Sequence, residues 1–235
     1  MSKYNITAKV SPLKDQSKNV KAMASINIGG TIAINDMTIV ESKNGNLFVG
    51  YPQMQDGKGE YRNVIDFLED EHGKITKESL ALKDEIRKTL VDMYKNGVKE
   101  TPTQEGQDKE PVMHEVKAFV TPLRESQNAT RGLATVQVGE LFKINSIRIN
   151  ENMKEGTENF GKNFVAMPSR TNASRDSGYS DFVHPVHKEF GEALKGAVLK
   201  QYDTQLAYKN HAANKEQAAQ QRDKPVTNKN AQGID

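Results

Sequence analysis

The sequence contains no cysteine among its 235 residues, which excludes disulfides, thiolate metal sites and a cysteine nucleophile. It also lacks any stretch near the ~18 apolar residues that a membrane helix needs, and its first thirty residues show no apolar segment or cleavage pattern of a signal peptide. The net charge is only +2, so nucleic-acid binding would require a local basic patch. The sequence therefore predicts a cytosolic protein without a membrane segment.

The chain repeats itself. A shift of 110 residues superimposes residues 6–41 on residues 116–151 without a gap, and residues 48–52 match residues 164–168 after a six-residue insertion in the second copy. Hydrophobic residues make up 35% of the chain and charged residues 27%, a balance that fits two small domains better than one large core.

Apolar and polar residues alternate over residues 22–28 and again over residues 134–138, which indicates half-buried strands. Gly29-Gly30 predicts a two-residue hairpin turn, and Gly139-Glu140 occupies the same place in the second copy. Each copy closes with a helical apolar pattern, which in the second is formed by Phe190, Leu194, Val198 and Tyr202. The predicted fold class is α+β, with two tandem small domains, each an antiparallel β-sheet with a hairpin and a packed C-terminal helix.

Composition sets the expected domain boundaries. The first domain takes residues 1–97, and residues 98–113 form a flexible linker because they carry two prolines and few apolar side chains. The second domain takes residues 114–203. The polar tail, residues 204–235, is expected to be partly helical or disordered.

Three runs in the second copy, ATRGLA at 129–134, NFVAMPSR at 163–170 and YSDFVHP at 179–185, resemble the SpoVG septation protein family, and FVAMPSR is the most specific part. The first copy departs from this pattern, because Gln53-Met54 replaces Ser169-Arg170 and Asp66-Phe67 replaces His184-Pro185. The resemblance implies an antiparallel sheet with a packed helix, assembly as dimers and site-specific DNA binding, with RNA as a ligand of some members. It also implies a bacterial regulatory role in septation, sporulation and gene expression.

Two copies in one chain predict a covalent version of the family dimer, an intramolecular pseudo-dimer of the two repeats, with further self-association left open. In this hypothesis the first copy mainly completes the scaffold, and the second makes most contacts with double-stranded DNA or with RNA.

Basic residues of the second copy are the candidate nucleic-acid ligands, because cations that meet phosphates supply most of the affinity. The loop at residues 169–175 carries two guanidinium groups, and lysines of the closing helix would extend it into a basic strip if the helix presents them beside the loop. The candidates are Arg170, Arg175, Lys188, Lys195, Lys200, Arg131 and Arg124. The alternative is that the lysines are solvated surface charges and that Arg124 and Arg131 are polar positions flanking a loop.

Enzymatic patterns are weak, so the prediction is a protein without catalytic residues, cofactor or metal. Residues 156–163 resemble a phosphate-binding loop, but Asn163 stands where a Ser or Thr would hold magnesium, and the segment lies between two strands. His184 and His187 have no evident third ligand, and His184-Pro185 fits a turn before the helix. The competing class is a protein-interaction module that binds a partner through a sheet edge.

Overall fold

The structure, a computed structural model, describes residues 3–101, 110–123 and 128–222, and for residues 213–222 it describes the backbone alone. The strands of the first repeat are β1 (Ile6–Pro12), β2 (Val20–Ile28), β3 (Ile32–Glu41), β4 (Leu47–Gly50), β5 (Gln53–Gln55), β6 (Tyr61–Asn63) and β7 (Ile65–Phe67), followed by helix α1 (Lys77–Lys95). The strands of the second are β8 (Val116–Pro122), β9 (Thr130–Val138), β10 (Phe142–Glu151), β11 (Asn163–Ala166), β12 (Ser169–Thr171), β13 (Tyr179–Asp181) and β14 (Val183–Pro185), followed by helix α2 (Lys188–Arg222).

The two repeats exchange a strand. The first sheet has the order β1-β2-β3-β14, and the second contains β8, β9, β10 and β11 together with β7 from the first repeat. In the first sheet Val183 pairs with Ile34, and in the second Ile65 pairs with Ile144. Each five-stranded sheet is therefore completed by the other repeat.

Each sheet packs one face on its helix, and these two layers enclose the core. In the first repeat Leu82, Ile86 and Leu90 of α1 are buried, and the apolar stripe predicted for α2 is buried as well. The alternation in β2 and β9 puts alternate side chains in this core, because successive side chains of a strand point to opposite faces. This arrangement confirms the predicted α+β class with two small sheet-and-helix domains.

Three local predictions need correction. The hairpin turn has three residues rather than two, because Ile28 pairs with Ile32 and Thr31 N–H returns to Ile28 O at 3.1 Å. The segment at His184-Pro185 is not a turn but the exchanged strand β14, held extended by its pairing with β3. The expected loop at residues 169–175 begins as strand β12, which pairs with β13.

β3 and β10 each contain a bulge at equivalent positions, and each pairs with two strands along one of its edges. Asp36 and Ser146, which are 110 residues apart, both have a positive φ, of 54° and 61°. Non-glycine residues rarely adopt this conformation. β3 pairs with the exchanged strand before the bulge and with β4 after it, so the bulge divides the edge of the strand between two partners.

The segments outside the sheets are partly ordered. At the start of the expected linker, Lys99 O accepts a hydrogen bond from Val10 N–H at 2.7 Å, and Thr101 N–H donates to Ala8 O at 3.0 Å. Residues 102–109 lie outside the described residues. The tail begins as a continuation of α2, which ends at Arg222, and within the described ranges no helix has both the length and the apolarity that crossing a membrane requires.

Candidate nucleic-acid interface

Strand exchange brings a hairpin of the second repeat over the open face of the first sheet. β12, β13 and the turn between them directly precede the exchanged strand β14, so the pairing of β14 with β3 carries the hairpin to the neighbouring repeat. The space between them, which we call groove 1, measures about 630 Å³. Its polar lining includes Lys9, Ser11, Ser25, Asn35 and Asp36 from the first repeat and Arg170, Asn172, Arg175, Tyr179, Asp181 and His184 from the second.

Local hydrogen bonds shape the turn of this hairpin. The Asn172 side chain accepts a bond from Ser174 N–H at 3.1 Å through Oδ1, and its Nδ2 donates to Ser180 Oγ at 2.7 Å. Gly178 closes the turn with a φ of 71°, a conformation that glycine adopts without steric cost. Arg175 is thus presented by a turn whose backbone is held by its own side chains.

Arg170 joins the two repeats. Its Nε donates to Asp36 Oδ2, and its Nη2 lies 3.4 Å from Asp36 Oδ1. The hydrogen bond to Asp36 raises the pKa of Arg170 above its ordinary value. Arg170 was predicted as a phosphate ligand, but in the structure its charge is matched by a carboxylate of the first sheet, so it also holds the hairpin in place.

Arg175 is the arginine of groove 1 whose charge no carboxylate of the described residues matches. Among the described residues, no carboxylate lies within ion-pair distance of Arg175, whereas Lys9 Nζ is 3.0 Å from Glu100 Oε1. Asp181 adds a carboxyl group to the groove, and desolvation raises its pKa while nearby His184 opposes the shift. The free cationic character of the groove therefore concentrates on Arg175.

An asparagine at the same place in each repeat fixes the exchanged strand. Asn35 Nδ2 donates to Asp181 O at 2.9 Å and lies 3.3 Å from His184 Nδ1. In the second repeat Asn145 Nδ2 donates to Asn63 O at 3.2 Å and to Asp66 Oδ2 at 2.7 Å. The pair Ile34-Asn35, matched by Ile144-Asn145 in the repeat alignment, thus marks where the two copies hold each other.

Four of the other predicted ligands lie outside groove 1. Arg131 Nε donates to Glu151 Oε2 at 2.6 Å, and Lys21 and Glu41 make the same bridge in the first repeat at 2.8 Å. Lys188 lies 3.9 Å from Glu192 on α2, and Lys195 is exposed on the same helix. Lys200 lines a separate groove beside β8, and Arg124 lies outside the described residues.

The open face of the second sheet forms a counterpart, groove 2, of about 570 Å³ under the β5–β6 hairpin. The chemistry of its lining differs from that of groove 1. Met54 takes the place of Arg170 and Ser146 the place of Asp36, while Phe119 stands where groove 1 has Lys9. Arg148 Nε is buried there, without a hydrogen-bond partner in the described part of the chain.

Sequence reasoning missed the half of groove 1 that the first repeat supplies. Lys9 and Ser11 alternate with the buried Ala8 and Val10 along β1, a pattern that could have placed both on the open face. Strand exchange brings Arg175 into the same groove as these two residues. The exchanged strands have only three residues each, too few for a periodic pattern in the sequence to predict them. Within the described residues no cluster of three or more His, Asp or Glu is placed to hold a metal ion.

Two sheet-and-helix domains that complete each other by strand exchange define a tandem α+β protein with one polar and one more apolar groove. The SpoVG family model matches residues 4–96 and again residues 113–204, so the chain belongs to the SpoVG family, and the resemblance seen in the sequence is confirmed.

A relative from Macrococcus caseolyticus (strain JCSC5402), named as a septation protein SpoVG, is 32% identical over 75 residues. That stretch is 31% of this chain and 56% of the relative, so the match spans about half of the relative's own length. No solved structure matches the chain.

Proposed function

We propose that this chain is a regulatory nucleic-acid-binding protein of the SpoVG type and that groove 1 contacts the nucleic acid, either DNA or RNA. The observation that carries the proposal is the unmatched guanidinium of Arg175, presented by an ordered turn in a groove lined with hydrogen-bonding side chains. Phosphate contacts of this kind supply the largest share of nonspecific affinity. Membership of the family supports a regulatory role for the chain.

Groove 1 offers more than charge. Asn35 and Asn172 supply amide groups for base edges or phosphates, and Tyr179 is 56% exposed at the rim. An exposed aromatic ring can stack on a base, which tolerates many sequences. In groove 2 Met54 and Phe119 occupy the positions of Arg170 and Lys9, and the guanidinium of Arg148 shares the lining with the carboxylate of Asp56, so nucleic acid is expected to prefer groove 1.

We further propose that the chain acts by binding rather than by catalysis, and that it is a self-contained pseudo-dimer, which the exchanged strands support. Each repeat supplies the strand that a second molecule would otherwise provide. Light scattering on the purified chain is expected to give the mass of one molecule, 26.2 kDa. A stable tetramer or a higher assembly would argue against this proposal.

The decisive experiment measures binding of the full chain to random duplex DNA, single-stranded DNA and RNA at two salt concentrations. Arg175→Ala is expected to weaken binding and to lower the salt slope by about one phosphate contact. Arg87→Ala, on the exposed face of α1, removes the same charge outside the groove and serves as the control. Equal binding by the two variants would remove groove 1 from the interface.

A further inference from the structure

The two repeats differ in how the outer edge of the first strand is covered. In the first repeat the chain leaves α1 and runs back along β1, where Val10 N–H donates to Lys99 O and Thr101 N–H donates to Ala8 O. Thr101 Oγ1 also accepts a bond from Ala8 N–H at 3.0 Å. Residues 99–101 thus act as a short additional strand on the edge of the first sheet.

The second repeat has no such cover among the residues that the structure describes. Its helix continues to Arg222 instead of ending in a turn, so the chain up to that residue does not return along β8. By the 110-residue register, Ala118 and Val120 correspond to Ala8 and Val10, and their outward N–H and C=O groups have no partner within the described ranges. At the end of the strand, Pro122 O accepts a hydrogen bond from Lys209 Nζ at 3.3 Å.

Equivalent side chains of the two first strands, β1 and β8, also differ in how exposed they are. Ala8 is 5% exposed and Val10 is 1% exposed, whereas Ala118 and Val120 are half-buried in the same register. The residue types and the strand pairing are the same, so the missing cover accounts for the added exposure. An unpaired edge with half-exposed apolar side chains is a template for another strand.

We infer that the outer edge of β8 is a docking site for an extended, acidic peptide segment of a protein partner, which adds to the second sheet as an antiparallel strand. The first repeat shows the geometry of such an addition, because residues 99–101 pair with β1 in that direction. Main-chain hydrogen bonds would supply affinity, and alternate side chains would supply specificity.

The groove along this edge indicates the charge of the partner. It measures about 410 Å³ and is lined by Lys117 of β8 and Lys200 of α2, together with Phe119, Ala197, Gln201 and Thr204. Among the described residues, two ammonium groups and no carboxylate line it, which favours an acidic segment. A second copy of the chain would bring its own lysines to the same edge, so like charges disfavour pairing of β8 with itself.

The residue at position 119 indicates which type of side chain the partner should place opposite it. In the first repeat Lys9 lies opposite Glu100, and their side chains form an ion pair. Phe119 replaces Lys9 in the second repeat and is 53% exposed. An apolar side chain is therefore expected opposite Phe119, with a carboxylate two residues further along, opposite Lys117, because residues two apart share one face of a strand.

The test uses the synthetic peptide Thr-Val-Val-Glu-Glu, with blocked termini, titrated into the full chain and followed by NMR. The expected result is binding that shifts the amide signals of Ala118 and Val120 and slows their hydrogen exchange. The matched peptide Thr-Val-Val-Lys-Lys is expected not to bind. Failure of the acidic peptide to bind, or equal binding of the basic one, would overturn the inference.

Variants separate edge pairing from general charge attraction. Lys117→Glu and Lys200→Glu should each weaken peptide binding about fivefold or more, since an exposed ion pair is worth up to ~1 kcal/mol and reversal adds repulsion. Lys88→Glu, exposed on α1, makes the same change away from the edge and should leave binding unaltered. Equal loss in all three variants would contradict a site at β8.

Val120→Pro removes a main-chain donor of the edge and should abolish binding, while the charge reversals keep the test valid if this variant folds poorly.

Two results from the peptide-free protein would also overturn the inference. Slow exchange of the Ala118 and Val120 amides would mean that the chain covers its own edge. Dimers in light scattering that Val120→Pro disperses would mean that a second copy does so.

Discussion

At the residue scale, the two copies differ at pairs of positions in the grooves rather than at isolated positions. Where groove 1 has the Arg170–Asp36 ion pair, groove 2 has Met54 and Ser146. Both side chains of this pair are partly exposed, so water could solvate either charge alone, and the pair mainly positions the hairpin. Each hairpin therefore lies on the sheet of the other repeat. An ion pair holds it there in groove 1, and an apolar side chain takes this place in groove 2.

Asp181 is expected to oppose anion binding in groove 1. Its pKa is raised by desolvation, so as the pH falls through that raised value the carboxyl is protonated and its negative charge in groove 1 disappears. Affinity for a phosphate ligand should therefore rise toward acid pH. Asp181→Asn should bind more tightly at neutral pH, by up to about fivefold, and should lose this part of the pH dependence.

Fluorescence anisotropy with labelled nucleic acid over a pH series measures both effects. Asp203→Asn, exposed on α2, removes the same charge outside groove 1 and should follow the unmodified chain. If Asp181→Asn and Asp203→Asn gave the same affinity and the same pH profile, Asp181 would not face the bound ligand.

At the element scale, short strands determine how the repeats are joined. β7 and β14 have three residues each, too few to be stable alone. They are extended because a neighbouring strand offers them hydrogen bonds and because Val183 and Ile65 are buried in a core that both repeats share. Asn35 and Asn145 add side-chain bonds next to these strands.

Asn35→Ala and Asn145→Ala should each lower the free energy of unfolding by about 1 kcal/mol, the usual net contribution of a hydrogen bond. The reason is the same in both halves, because each asparagine bonds to the chain beside the exchanged strand. Urea denaturation measures the loss. Asn44→Ala, in the exposed turn before β4, should change stability by less than about 0.5 kcal/mol, and a comparable loss there would contradict the assigned role.

At the scale of the whole molecule, strand exchange makes the two repeats one cooperative unit. Buried side chains of both repeats form one continuous core, and Ser79 of α1 also donates to Leu141 O across the interface. A repeat that unfolded would withdraw a strand from its partner. The chain is thus expected to unfold in a single transition even though it contains two domains.

Leu82→Ala and Leu194→Ala test this cooperativity, since both leucines are fully buried, one in each repeat. Each substitution should cost about 2–5 kcal/mol and should lower the midpoint of the whole transition. Far-UV circular dichroism and tyrosine fluorescence should give coincident curves for both variants. A variant in which one repeat melted while the other stayed folded would show that the repeats are independent.

The duplication, the α+β class, the long strands and the closing helices could all be predicted from the sequence. They depend on local periodicity and on the match between copies, which side-chain patterns along one segment record. The apolar stripe of α2 and the alternation in β2 are such patterns. The recognisable run FVAMPSR likewise belongs to one segment.

Only the tertiary structure decided which strand completes which sheet, and therefore which residues share a groove. The Arg170–Asp36 contact joins residues 134 positions apart, and the open edge of β8 depends on where the chain goes after each helix. There the sequence does contribute, because Gly97, with a φ of 66°, ends α1, whereas no glycine follows Tyr202 before the end of α2 at Arg222. Strand exchange, by contrast, follows from the balance of long-range contacts, which no single segment encodes.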